Sequence, residues 1–214
     1  MKEEGTSEHR LHAAREARAV VPIVLGIDPG TRVVGYGAVV VAAKGPKLLA
    51  CGALRAERDD DVPVRLAWLR GELDRLLAKV KPTVVVVEAA FAARNVQSAL
   101  RIGEGRGVVL ACAAATGAKI VQYPPAVAKK ALLGHGAADK TQVAWMVGEL
   151  LGLAKIPEPL DATDALALAL AWVQRGEQGA RSRVGGRAGR EELPEAIRVA
   201  LEGARRTRGV GRRG

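Results

Sequence analysis

The chain has 214 residues and a net charge of +10, and it is 49% hydrophobic but only 3% aromatic. This length allows one substantial domain with tails, and no apolar run reaches the roughly 18–20 residues of a membrane span. Residues 1–20 include four acids and no apolar stretch, which is a poor match to a signal peptide. We therefore expect a cytoplasmic protein with no membrane contact. Cys51 and Cys112 are expected to be reduced core thiols, although spacing alone leaves a disulfide open.

The positive charge is unevenly distributed along the chain. Residues 1–20 carry four bases and four acids, whereas residues 175–214 carry eleven bases and five acids. A basic protein with a basic tail suggests a polyanionic partner, nucleic acid first, and the alternative is a solubilising charge excess. Charge alone does not decide between the two.

Hydrophobic patterning predicts an α/β domain. Strand patterns at 23–28, 33–41 and 48–55 are separated by turns at 29–30 and 44–46, and such short connections favour antiparallel pairing. Further strands are predicted at 84–88 and 119–123, and helices at 62–80, 96–116, 140–151 and 161–173. The order predicts a five-stranded mixed sheet with helices on both faces.

Composition divides the chain into three parts. We interpret residues 1–20 as a solvated extension, residues 21–175 as the folded domain, and residues 176–214 as a basic, Gly- and Arg-rich tail that is largely disordered. Such a tail would strengthen non-specific binding to DNA through counterion release.

Four acidic residues stand among apolar stretches and indicate a metal site. Asp28 and Glu88 each end an apolar strand pattern, and Asp161 and Asp164 lie one turn apart at the start of a predicted helix. Taken singly, Asp28 fits an Asp-Pro-Gly turn, and either helix acid fits an N-terminal cap. Unpaired buried carboxylates are costly, so three segments that offer carboxylates together favour a divalent-metal site for phosphoryl transfer. Oxygen ligands fit two Mg²⁺ ions, with Mn²⁺ as a substitute.

Five blocks make the sequence similar to the RuvC-type Holliday junction resolvases. They are GIDPGTRVVGYG at 26–37, VEAAFAARN at 87–95, SALRIGEGRGV at 98–108, GHGAADKTQV at 134–143 and DATDALALALA at 161–171. The resemblance covers about residues 22–174 and implies a ribonuclease H-like fold. It also implies a homodimer that makes symmetric, metal-dependent nicks in two opposed strands of a four-way DNA junction. Coupling to the RuvA–RuvB branch-migration complex is implied in the same way.

The resemblance also assigns roles to individual residues. It implies that Asp28, Glu88, Asp161 and Asp164 are the catalytic metal ligands. Phe91 is expected to contact DNA by stacking on an unpaired nucleobase. Five basic side chains are also expected to contact DNA: Arg94, Arg101, Lys129, Lys130 and Lys140. Of these, Lys130 has no secure counterpart in the family. A core role for Phe91 and a surface role for any one lysine are the ordinary alternatives.

Three other functions compete with this hypothesis. The first is a sugar-kinase or chaperone-type ATPase, whose first phosphate loop resembles residues 26–31, although those folds need two such domains. The second is a related nuclease that acts on RNA–DNA hybrids. The third is a junction-binding protein without catalysis, which the presence of all four acids disfavours.

Overall fold

The computed structural model describes residues 21–30, 32–57, 60–89 and 96–180. The predicted extension at 1–20 and the tail from 181 onward therefore lie outside the described residues. The strands are β1 (Ile23–Asp28), β2 (Val33–Ala42), β3 (Gly45–Arg55), β4 (Val84–Glu88) and β5 (Lys119–Tyr123). The helices are α1 (Val62–Val80), α2 (Val96–Ala115), α3 (Pro125–Leu133), α4 (Lys140–Leu151) and α5 (Leu160–Ala180). No helix in the described ranges is long and apolar enough to span a membrane.

The strands form one mixed sheet in the order β3-β2-β1-β4-β5. The first three strands pair antiparallel, as their short connections predict, whereas β1 with β4 and β4 with β5 pair parallel. Because β1 and β3 both run opposite to β2, the strands β1, β3, β4 and β5 share one direction. Their carboxyl ends therefore lie along one edge of the sheet, where sites of α/β proteins form.

Helices cover both faces of the sheet, as predicted. The leucines of α1 and the apolar side of α2 bury one face, and the helices α3, α4 and α5 bury the other. Val85 and Val86 in β4 are fully buried on opposite faces, which explains the continuous valine run of this strand. Cys112 packs on the face of the sheet that α1 and α2 cover, whereas Cys51 packs on the face that α3, α4 and α5 cover. Both are free thiols.

Helix α5 lies directly against the backbone of β1 and β2. An ideal Cβ on Gly26 would stand 1.9 Å from the carbonyl oxygen of Ala165, and one on Gly35 would stand 2.1 Å from that of Asp161. Only glycine permits such a close approach between a strand and a helix backbone. This contact fixes the first turns of α5 at the carboxyl edge of the sheet.

Three details depart from the predicted boundaries. Helix α3 lies outside the predicted elements, because the pair Pro124 and Pro125 fits the end of a strand as well as the start of a helix; Pro124 occupies the N-cap position and Pro125 begins the helix. Strand β3 begins at Gly45, within a predicted turn, because an edge strand tolerates Pro46. Helix α5 continues to Ala180, past the predicted end of the folded domain at 175.

Candidate active site

Two carboxyl groups meet at the ends of neighbouring parallel strands. The register pairs Ile27 with Val87, so the next residues, Asp28 and Glu88, lie side by side. Burial raises the pKa of Glu88 to about 8, and the hydrogen bond and negative charge of Asp28 act in the same direction. Burial also raises the pKa of Asp28, although the hydrogen bond from Glu88 opposes this shift. The two groups therefore share a proton near neutral pH, since two adjacent carboxylates repel each other.

This shared proton makes Glu88 a source of instability at higher pH. In the folded protein the pKa of Glu88 lies above its ordinary value of 4.5. The contribution of Glu88 to the free energy of unfolding is therefore greatest below about pH 4.5, and it is lost as the pH rises through about 8. In EDTA, Glu88→Gln is expected to raise the free energy of unfolding by about 1–2 kcal/mol at pH 8, allowing for partial exposure, and by little at pH 4.5. Urea unfolding at the two pH values measures this difference.

Glu149→Gln provides the control for this prediction, because Glu149 is exposed on α4 and lies outside the carboxyl cluster. It should change the stability little at either pH. A Glu88→Gln protein that is no more stable than wild type at pH 8 would contradict the proposed crowding of the two acids.

The two acids at the start of α5 each face a basic side chain. Asp164 accepts a hydrogen bond from the ammonium of Lys140, with 3.0 Å between Oδ2 and Nζ. This contact raises the pKa of Lys140. Asp161 lies 3.6 Å from the guanidinium of Arg55, measured from Oδ2 to Nη2. Both acids add negative charge near Asp28, so all four predicted carboxylates act on one small region.

A cavity of about 220 Å³ opens between the sheet edge and the helices. Three acids and two lysines form its charged lining: Asp28, Glu88, Asp164, Lys129 and Lys140. The other lining residues come from α3, α4 and α5. Three of the four predicted acids and two predicted basic residues thus meet in one place. Asp161 is not part of this lining and lies beside it.

Local structure holds the two lysines at the cavity. Asp139 and Gln142 form a reciprocal capping box at the start of α4, with contacts of 2.8 and 3.0 Å, which fixes Lys140 as the first residue of the helix. Lys129 donates a hydrogen bond of 2.6 Å to the carbonyl of Ala138. Lys129 therefore ties α3 to the segment that leads into Lys140.

The donor set fits a hard divalent cation. Oxygen ligands on half-buried carboxyl groups are what Mg²⁺ prefers, and a bound cation would replace the proton shared by Asp28 and Glu88. Within the described ranges, however, no three His, Cys, Asp or Glu side chains converge into a ready-made ion site. Asp161 and Asp164 contact cations of the chain itself instead. A metal would therefore compete with both a proton and two basic side chains.

The structure describes only some of the remaining residues that are predicted to contact DNA. Phe91 and Arg94 lie outside the described residues, so their predicted roles stay predictions. Arg101 on α2 and Lys130 on α3 are exposed, and neither lines the cavity. Their predicted contacts with DNA also stay predictions.

Two arginines near the acids were not singled out as site residues from the sequence. Arg55 ends β3 and contacts Asp161. Arg106 on α2 donates from Nε to the carbonyl of Glu88 at 3.3 Å and from Nη2 to the side chain of Gln122. Arg106 thus fixes the end of β4 against β5. The available signal for Arg55 was its position at the end of a strand, as for Asp28 and Glu88.

Comparisons with known proteins agree with this geometry. A family model, crossover junction endodeoxyribonuclease RuvC, matches residues 24–172. The protein of that name from Chlorobaculum parvum is 44% identical over 154 residues, which cover 72% of this chain and 82% of the relative. The Thermus thermophilus RuvC structure has a TM-score of 0.68 at 34% identity, and it covers 73% of this chain and 96% of that chain. T. thermophilus RuvC in complex with Holliday junction substrate gives 0.67 and 30% with the same coverage. The predicted ribonuclease H-like fold is confirmed.

Proposed function

The chain belongs to the RuvC family of crossover junction endodeoxyribonucleases, and from this we propose that it hydrolyses one phosphodiester bond in each of two opposed strands of a four-way junction. It is a nuclease of DNA recombination and repair that resolves Holliday junctions. The products would carry 5′-phosphate and 3′-hydroxyl ends that a ligase can join. We place its action in the cytoplasm, where the bacteria that supply its relatives hold their DNA.

One observation carries this proposal. Asp28 and Glu88 end two adjacent parallel strands and share a cavity with Asp164 and Lys140. Such a cluster of acids is electrostatically unfavourable in the protein alone, since the pKa values of both strand-terminal acids are raised. Groups with perturbed pKa values concentrate at functional sites because catalysis requires them there. The family match extends across all four acids.

We assign Asp28, Glu88, Asp161 and Asp164 as ligands of Mg²⁺, with two ions per site and Mn²⁺ as a substitute. The support is the donor chemistry: carboxylate oxygens from three segments beside one cavity. When bound, the metal supplies Lewis-acid stabilisation of the charge that develops on the phosphate, and it activates water.

The side chains of the protein have separate tasks around the reacting phosphate. The rigid ends of β1 and β4 hold Asp28 and Glu88 at fixed positions, which limits the reorganisation that the reaction requires. Lys140 places a positive charge at the cavity, where it would offset the charge of the bound phosphodiester. The cavity walls from α3 and α5 bring apolar side chains beside the acids.

We further propose that the active form is a homodimer. Two opposed nicks need two sets of acids, and each chain supplies one. Val96 and Leu100 lie one helical turn apart on α2 and expose an apolar side of its first turns, at 75% and 63% exposure. We propose that this surface forms the dimer contact and that the dimer works with the RuvA–RuvB complex.

The decisive experiment measures cleavage of end-labelled four-way junctions beside that of a linear duplex of matched sequence. We expect paired nicks near the crossover with Mg²⁺ or Mn²⁺, and no cuts with EDTA or on the duplex. Several junction sequences should be included, so that a preference for one local sequence at the crossover does not conceal cleavage.

Tight junction binding without cuts, with either metal and across all junction sequences, would contradict the proposed nuclease. Such a result would favour the junction-binding protein that the sequence left as an alternative. Equal cutting of the linear duplex would contradict the specificity for junctions.

A further inference from the structure

Arg55 lies at the same sheet edge as the acids. It ends β3, which runs parallel to β1, so Arg55, Asp28 and Glu88 all occupy carboxyl ends of parallel strands. Its backbone pairs with Val33, and the next residue, Ala56, donates to the carbonyl of Arg32 at 3.0 Å. The side chain therefore extends from a fixed backbone at the rim of the site.

The contact between Arg55 and Asp161 is loose and exposed. The 3.6 Å separation exceeds a hydrogen bond, and the two side chains are 57% and 41% exposed. Ion pairs of this kind contribute little to stability, so a stronger partner would displace Asp161 easily. A guanidinium carries five N–H donors, and within the described residues Asp161 is the one ion-pair partner of Arg55. Most of its donors therefore remain available to a ligand.

Lys140 makes the corresponding contact with the second acid, Asp164. Each acid in the first turns of this helix faces one cation from a different element, Lys140 from α4 and Arg55 from β3. A phosphate that approaches the acids meets both cations. Guanidinium groups bind phosphate through two parallel hydrogen bonds, which a single carboxylate contact at 3.6 Å does not match.

We propose that Arg55 neutralises Asp161 in the free protein and moves to a backbone phosphate of the junction when DNA binds. This inference rests on the proposed function, because it requires a DNA backbone at the acid site. Its consequence is that DNA binding frees Asp161 to act as a metal ligand. Substrate binding and completion of the acid set are then coupled.

Junction binding by the full-length protein in EDTA tests the phosphate contact. Arg55→Ala is expected to weaken binding about 5–10-fold near 0.1 M salt and to reduce the slope of log affinity against log salt by about one. Arg55→Lys should keep the slope, because the charge remains, but recover the affinity only in part. Arg70→Ala is the matched control, since Arg70 also contacts an aspartate, Asp74, at 3.6 Å, but on α1 away from the site.

Binding of Mn²⁺ without DNA tests the neutralisation of Asp161. Arg55→Ala is expected to bind Mn²⁺ about 2–5-fold more tightly than wild type, because a competing cation has been removed, whereas Arg70→Ala should match wild type. An Arg55→Ala protein that follows Arg70→Ala in both assays would overturn the inference while wild type still binds and cuts junctions. Failure of the wild type itself to bind junctions would overturn the proposed function as well.

Discussion

Replacing Asp28 by asparagine is expected to slow junction cleavage by at least about 10³-fold while junction binding in EDTA persists. Metal-assisted stabilisation of the transition state is worth several kcal/mol, and each 1.4 kcal/mol or so corresponds to a tenfold change in rate. Asparagine keeps the shape of the side chain but removes the charge that a cation needs. Binding should be unchanged or tighter, because one negative charge near the phosphate is lost.

The comparison requires cleavage under single-turnover conditions and binding by gel shift with the same labelled junction. Asp74→Asn is the control, because it makes the same chemical change in α1, where Asp74 pairs with Arg70. It should cut junctions at the wild-type rate. Cleavage by Asp28→Asn within tenfold of wild type would refute the metal-ligand role of Asp28.

Replacing Gly26 by alanine is expected to lower the free energy of unfolding by about 3 kcal/mol or more. The new Cβ would stand 1.9 Å from the oxygen of Ala165 and 3.0 Å from the nitrogen of Ala169, both backbone atoms of α5. A helix backbone has no rotamer that relieves such a clash, so α5 must move away from the sheet. Cleavage should fall with stability, since α5 carries Asp161 and Asp164.

Thermal unfolding measures the effect, which corresponds to a fall in Tm of about 6–12 °C for a chain of this size. Gly71→Ala is the matched control in α1, where the nearest atom to the added Cβ is the flexible end of Arg75 at 3.5 Å. That substitution should stabilise the protein by about 0.5–1 kcal/mol, because alanine favours the helix. Equal stabilities of the two variants would contradict the backbone contact between α5 and β1.

The strands and most helices could be predicted because their signals are local. The valine run of β4 and the leucine spacing of α1 reflect burial, which the sequence records directly. Helix α3 was missed because two prolines serve equally as a stop and as a first turn, and only the packing of Ala128 and Leu132 distinguishes these roles. The end of α5 was missed because its last turns lack a strong apolar repeat.

The site could be predicted only in part, for a related reason. Positions such as Asp28 and Glu88 follow from the strands that carry them, so topology alone brings them together. The contacts of Arg55 and Arg106 depend on the way in which their long side chains reach from one element to another. No spacing in the sequence encodes such a crossing. Lys129 was predicted as a DNA contact, and its bond to Ala138 came from the packing of α3, which was not foreseen.

The capping box of α4 has an electrostatic consequence. It holds Lys140 in the first turn of a helix, where the macrodipole presents partial positive charge and disfavours a cation. The ammonium stays there because Asp164 compensates for the helix dipole. Lys140 and Asp164 therefore form one electrostatic unit: loss of the acid would drive the lysine away from the cavity, and loss of the lysine would leave the acid among like charges. The two successive helices α4 and α5 thus depend on each other for the charge balance of the cavity.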